Sequence, residues 1–97
     1  GRVTEEAYTY IVRCADGSYY TGWSTDPERR LAAHNSGRGA AYTRARRPVR
    51  LVYVERLPTR SAAMRREQSI KRLNRRGKQR LIRAARDAQE GDDAKGG

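Results

Sequence analysis

The stretch Tyr8-Thr9-Tyr10-Ile11-Val12-Arg13-Cys14-Ala15-Asp16-Gly17-Ser18-Tyr19-Tyr20-Thr21-Gly22-Trp23 decides how this chain folds. Two runs of aromatic and β-branched residues, Tyr8 to Cys14 and Ser18 to Trp23, flank Asp16-Gly17, a pattern that predicts a β-hairpin. The turn can close in two ways. A two-residue Asp16-Gly17 turn sets Tyr10 opposite Trp23 and leaves Tyr10 and Tyr20 on opposite faces. A three-residue loop, Ala15-Asp16-Gly17 with Gly17 left-handed, sets Tyr10 opposite Gly22 and Val12 opposite Tyr20, so that both tyrosines share a face.

Downstream, Thr25-Asp26-Pro27-Glu28 supplies a capping residue, a proline suited to the first helical position and an acid in the first turn. The helix it starts should run to about Ser36 and stop at Gly37 and Gly39, with Arg30 and His34 one turn apart on one face. Residues 37 to 48, rich in Gly, Ala and Arg, read as a basic loop. Val49 to Glu55 alternates, with Val49, Leu51, Tyr53 and Glu55 on one side and Arg50, Val52, Val54 and Arg56 on the other; it predicts a third, largely buried strand ended by Pro58. Thr59 to about Leu73 reads as a helix with Ala63, Ile70 and Leu73 as apolar positions and Glu67 on the same inward face. Gly77 breaks the pattern. A shorter helix, Lys78 to Ala88, turns Leu81, Ile82 and Ala85 inward, and residues 89–97 are expected to form a flexible tail. The expected architecture is α/β (α+β): one domain over residues 6–88, a small three-stranded sheet flanked by helices in the order β-β-α-β-α-α.

At 97 residues the chain has room for one hydrophobic core. It carries 22 Lys and Arg against 11 Asp and Glu, a formal charge of +11, and 19 of the basic residues are Arg. Guanidinium groups grip phosphate in bidentate fashion where an ammonium acts as a point charge, so the bias towards Arg favours a nucleic-acid partner. A membrane surface is the weaker partner, because no helix is both strongly apolar on one side and anchored by Trp. No run approaches the roughly 18 apolar residues of a membrane span, and no secretory leader is visible, so a soluble, intracellular (cytoplasmic) protein is expected. Cys14 is the sole cysteine, which excludes an internal disulfide and a cysteine-rich zinc site.

Between Arg29 and Arg86 stand 19 basic residues and only two acids, Glu55 and Glu67. Glu67 has a plain reading, an i, i+4 salt bridge to Lys71, and a chemical one, a hard oxygen ligand for Mg²⁺ or Mn²⁺. Tyr10 and Tyr20 read either as cross-strand packing or as chemistry. The chain has six Tyr and no Phe, so every such ring carries a hydroxyl, which favours the second reading. A phenol, with a reference pKa of about 10, takes a proton from water near neutral pH only when a cation or a metal favours the phenolate. His34 is either structural or, one turn from Arg30, part of the same site. Arg38, Arg44, Arg46, Arg47, Lys71, Arg75 and Arg76 are candidate phosphate contacts or solvated charge and carry no base-specific message.

Tyr10, the Tyr20-Thr21-Gly22 triplet, Arg30 ten residues beyond Tyr20, His34 four further on and Glu67 on the following helix form an ordered set. That set resembles the GIY-YIG nuclease domain, including its small stand-alone bacterial members, and the likeness covers about Tyr8 to Leu73. The resemblance implies Tyr10 as general base with Tyr20 beside it, Arg30 on the scissile phosphate, Glu67 holding one divalent metal ion, and His34 orienting a tyrosine or sharing in proton transfer. The first motif here is Tyr8-Thr9-Tyr10 rather than Gly-Ile-Tyr, and Thr21 replaces an Ile. Trp23 stands where excision-repair relatives carry a lysine, so that lysine's role does not transfer.

The expected activity is therefore metal-dependent endonucleolytic hydrolysis of DNA. Branched, flapped or single-stranded DNA is favoured over a fixed sequence, because so small a domain holds no evident major-groove reading module. RNA stays open as a second substrate, as does a protein partner that supplies specificity. The alternative class is a non-catalytic basic nucleic-acid-binding module on the same scaffold.

Overall fold

The structure is a computed structural model that describes residues 6–96, with side chains described as far as Gln89. Two antiparallel strands, β1 (Ala7–Arg13) and β2 (Tyr19–Ser24), are followed by helices α1 (Pro27–Asn35) and α2 (Ala41–Arg44), strand β3 (Arg50–Leu57), and helices α3 (Arg60–Lys71) and α4 (Arg75–Gly96). The sheet order is β2-β1-β3, so the first strand is central and is antiparallel to both neighbours. The expected fold class and order hold, with the short α2 added inside the segment read as a loop.

The hairpin takes the three-residue closure. Tyr10 lies opposite Gly22 and Val12 opposite Tyr20. Gly17 adopts φ +85°, a left-handed conformation that costs glycine no Cβ clash, and Cys14 N–H donates to Ser18 O at 2.8 Å to close the loop. Asp16 supports it from within, accepting from Ser18 N–H at 3.0 Å and from the Ser18 hydroxyl at 2.6 Å. The register puts Tyr10, Val12 and Tyr20 on one face with α1, and Ile11 and Tyr19 on the other, under α3 and α4.

Each helix starts as its cap dictates. The Asp26 carboxylate accepts from Arg29 N–H at 3.2 Å, with Pro27 at the first helical position, and the Thr59 hydroxyl accepts from Ala62 N–H at 3.0 Å to begin α3. Gly77 does not break the last helix. The Asn74 side chain accepts from Gly77 N–H at 2.9 Å, which starts α4 three residues earlier than expected and leaves the break at Arg72 to Asn74. The helix continues to Gly96, so the segment assigned to a tail is helical in backbone over 89–96; Gly97 and residues 1–5 lie outside the described residues.

Two further expectations need correction. The third strand is an edge strand with alternating partial exposure rather than a largely buried one, and Val54 is 44% exposed. Its simple alternation fails as well. Ile11 pairs with Tyr53 but Val12 pairs with Leu51, so a bulge at Val52 resets the faces and Leu51 and Tyr53 join different clusters. On the helices, Ala63, Ile70 and Ile82 are buried as expected, whereas Leu73 falls beyond the end of α3 and Ala85 is exposed.

Candidate active site

The site is built around a buried imidazole. His34, on the last turn of α1, has no exposed surface, and its two ring nitrogens meet two hydroxyls. Nε2 lies 3.0 Å from the Tyr10 phenol oxygen, and Nδ1 lies 2.8 Å from Thr43 Oγ1. Tyr10 and Tyr20 both approach the imidazole edge-on, at centroid distances of 6.1 and 5.4 Å and the same interplanar angle of 66°. Burial and then the positive charge of Arg30 push the His34 pKa down from its ordinary value, so the ring is neutral at pH 7.

Tyr10 is only 2% exposed, and burial raises its phenol above the usual range although the Arg30 guanidinium beside it acts in the opposite sense. The charge of Glu67, on α3, also reaches this phenol. Gly22 is what lets the phenol sit there. A Cβ at that position would lie 2.6 Å from the Tyr10 oxygen and 2.8 Å from Cζ, a contact that only a bare glycine avoids. Gly39 plays the same part for the imidazole, since a Cβ there would fall 2.8 Å from His34 Cα and against its ring.

Glu67 is mostly covered, with 14% of its side chain exposed, and its Oε2 is 3.5 Å from the Lys71 ammonium. Both readings of this carboxylate thus keep a basis, the salt bridge in an observed contact and the metal in its chemistry. No group of three or more His, Cys, Asp or Glu is assembled among the described residues. One hard carboxylate nevertheless fits a Mg²⁺ or Mn²⁺ ion whose remaining ligands are water and phosphate oxygen, the arrangement Mg²⁺ commonly adopts at phosphate substrates. Glu67 would hold such an ion, and the chemistry it supplies when bound is neutralisation of charge on the phosphate and the departing oxygen.

Tyr10 on β1, Tyr20 on β2, Arg30 and His34 on α1 and Glu67 on α3 are therefore brought within reach of one another, by ring contact for Tyr20 and His34 and by charge on the Tyr10 phenol for Arg30 and Glu67. The outer basic residues divide. Arg46 donates to Asp16 at 3.1 Å and to Tyr42 O at 2.8 Å, and stacks 3.9 Å over the Tyr42 ring, so it braces the hairpin loop. Arg47 ties together the carbonyls of Arg44 and Asn35, and Arg75 donates to Gly17 O at 2.8 Å while facing the Tyr19 ring. Lys71 is held by Glu67. Arg38, Arg44 and Arg76 are exposed.

Three contributors escaped the sequence reading: Gly39, Tyr42 and Thr43, all in the segment read as a basic loop. Tyr42 stacks on Tyr20 at 6.1 Å and 25°, forming the outer wall of the aromatic group. Their signal was weak. The run Gly37-Arg38-Gly39-Ala40-Ala41 hides a helix start, and nothing local announces that Thr43 folds back onto the imidazole nine residues before it.

Residues 6–80 match the GIY-YIG catalytic domain, so the chain belongs to that family of nuclease-related domains. Its relatives include UPF0213 proteins. The one from Natronomonas pharaonis is 53% identical over 75 residues, which is 77% of this chain and 88% of that protein. The one from Staphylococcus saprophyticus is 51% identical over 78 residues, covering 80% of this chain and 95% of that protein. Among solved structures, the solution NMR structure of a UPF0213 protein from Bacillus halodurans is 48% identical, with a TM-score of 0.54 over 81% of this chain and 84% of that one. A protein from E. faecalis, also solved by NMR, is 42% identical, with a TM-score of 0.57 over 84% and 86% of the two chains. Among the described residues no helix is long and apolar enough to cross a membrane.

Proposed function

We propose that the chain is a metal-dependent endonuclease that hydrolyses phosphodiester bonds of DNA, acting on branched, flapped or single-stranded substrates of the kind that arise in repair and recombination. The observation that carries this reading is the convergence of Tyr10, Tyr20, Arg30, His34 and Glu67 at one place in a chain of net charge +11. Composition supports the polyanion partner; the convergence supports chemistry on it.

The roles follow from donor and acceptor chemistry. Arg30, a permanent cation with several donors, binds the scissile phosphate and meets the charge that grows on its oxygens. Tyr10 receives the proton of the attacking water, with His34 at its oxygen, and Tyr20 lines the approach to both. Glu67 is the metal-holding carboxylate. Arg38, Arg44 and Arg76 give salt-sensitive backbone contacts that set position rather than sequence.

The test is plasmid and branched-DNA nicking with Mg²⁺ or Mn²⁺, beside Arg30→Ala and Glu67→Ala. Loss of one group that acts in the transition state should lower nicking by about 10²- to 10³-fold while DNA binding by mobility shift survives. Wild-type protein that binds DNA with steep salt dependence yet nicks nothing would favour the alternative, a basic binding module on this scaffold. That alternative draws on one observation: Tyr10 is only 2% exposed.

A further inference from the structure

Thr43, which no motif of the sequence marks, meets the site through its hydroxyl at the imidazole. Its hydroxyl has one hydrogen and two neighbours: Ala40 O at 3.0 Å, which can only accept, and His34 Nδ1 at 2.8 Å. If the hydrogen goes to Ala40 O, then Nδ1 must carry the imidazole proton and donate to Thr43. The lone pair of Nε2 is then free to accept the Tyr10 O–H at 3.0 Å. In the opposite arrangement, Thr43 donates to Nδ1, Nε2–H points at the phenol oxygen, and Arg30, which can only donate, faces the same oxygen. The phenolic hydrogen of a side chain 2% exposed would then have no acceptor among the described residues. Only the first arrangement satisfies every donor, and buried donors are rarely left unpaired.

We propose that Thr43 is a positioning residue that fixes His34 as its Nδ1–H tautomer, so that His34 Nε2 accepts the Tyr10 hydroxyl proton. Gly39 supports this by leaving space for the imidazole against its backbone. The consequence for chemistry rests on the endonuclease reading. A phenol whose pKa is raised by burial is protonated at neutral pH and cannot act as a base unless its own proton has somewhere to go. Thr43 supplies that destination indirectly. As the water oxygen forms its bond to phosphorus, a water proton moves to the Tyr10 oxygen, the Tyr10 proton moves to His34 Nε2, and the phosphorus–oxygen bond to the leaving strand breaks with its electron pair on that oxygen. The imidazolium keeps its Nδ1–H on Thr43, then returns the Nε2 proton to Tyr10, whose other proton passes through solvent to the departed oxygen. One water is consumed and nothing is oxidised or reduced.

The test is the imidazole ¹⁵N spectrum of the full chain at neutral pH without DNA, recorded for wild type, Thr43→Val and Thr43→Ser, together with nicking rates of the same three. Wild type should show protonated Nδ1 and unprotonated Nε2; Thr43→Val should shift the ring towards the Nε2–H form, and Thr43→Ser should restore the wild-type spectrum. Nicking should fall by up to about 10²-fold in Thr43→Val, as when a reacting group is misplaced, and recover in Thr43→Ser. A wild-type ring protonated at Nε2 overturns the proposal even if Thr43→Val fails to fold, and so does a Thr43→Val protein with an unchanged spectrum. A wild-type Nδ1–H ring in a protein that nicks nothing upholds the tautomer assignment and sinks the endonuclease reading instead.

Discussion

The two faces of the sheet solve different problems with the same three strands. Beneath α3 and α4, Ile11, Ile70 and Ile82 form a buried cluster extended by Leu81, Val52 and the rings of Tyr19 and Tyr53. Beneath α1 and α2, the apolar packing of Val12, Cys14 and Val49 gives way to Tyr10, His34 and Thr43, three almost fully buried groups joined by hydrogen bonds. The first face holds the fold mainly by excluding water, with one buried hydrogen bond across it from the Thr9 hydroxyl to Ala63 O at 2.8 Å. The second needs each donor matched to an acceptor, because a stranded polar group there costs more than a missing methyl. The proposed chemistry draws on the face whose geometry is most tightly specified, with Glu67 contributed by α3, and the packing beneath α3 and α4 supplies the rigidity.

That contrast can be broken most directly from the apolar side. Ile70→Ala should destabilise the protein by about 2–5 kcal/mol, read as a lower midpoint in urea, because it empties a fully buried site. A shift well under 1 kcal/mol would mean the α3 face is not the main source of stability. Gly22→Ala, on the other face, should cost about 1–3 kcal/mol by driving a methyl into the Tyr10 phenol. The same substitution in a Tyr10→Phe background should cost less, since the nearest colliding atom is gone; equal costs would show that the phenol oxygen is not the constraint.

Acid sharpens the comparison. His34 has a folded-state pKa below its unfolded value near 6.5, so the unfolded chain binds a proton that the folded chain resists. The His34 contribution to stability is thus fully present above about pH 6.5 and is lost as the pH falls through 6.5 towards the depressed folded value. His34→Gln should flatten the drop in urea midpoint between pH 7.5 and pH 5, while Ile70→Ala should leave its slope unchanged. The smallest effect is expected at Lys71→Ala. An i, i+4 pair with a 44% exposed lysine should be worth about 0.3–0.5 kcal/mol, and its removal should leave Glu67 able to function, with nicking kept within a few-fold of wild type.

Much of this was legible locally. That a hairpin forms at Asp16-Gly17, that a helix starts after Asp26, and the i, i+4 placement of Arg30 and His34 are set by neighbours a few residues apart, where backbone conformation and short side-chain bonds decide the outcome. Less was legible where a partner comes from elsewhere. The bulge at Val52 resets which residues of β3 face Tyr10, and no alternation pattern reveals a bulge. Gly77 looked like a helix break, yet Asn74 caps the helix across it. Arg46 and Arg75, read as phosphate contacts or solvated charge, each donate to the hairpin loop, a contact that no local pattern announces.

By itself, the sequence determined the hairpin's two possible closures, the ordered spacing of Tyr10, Tyr20, Arg30, His34 and Glu67, and a net charge of +11 that favours a polyanion partner. The tertiary structure alone decided that the three-residue loop closes, that Gly22 and Gly39 clear space for a phenol and an imidazole, and that Thr43 ends the chain of hydroxyls. The division has a physical cause. Periodicity and caps act within one or two turns of chain, whereas a buried hydrogen-bond network requires that several elements be brought together at once, with every donor matched.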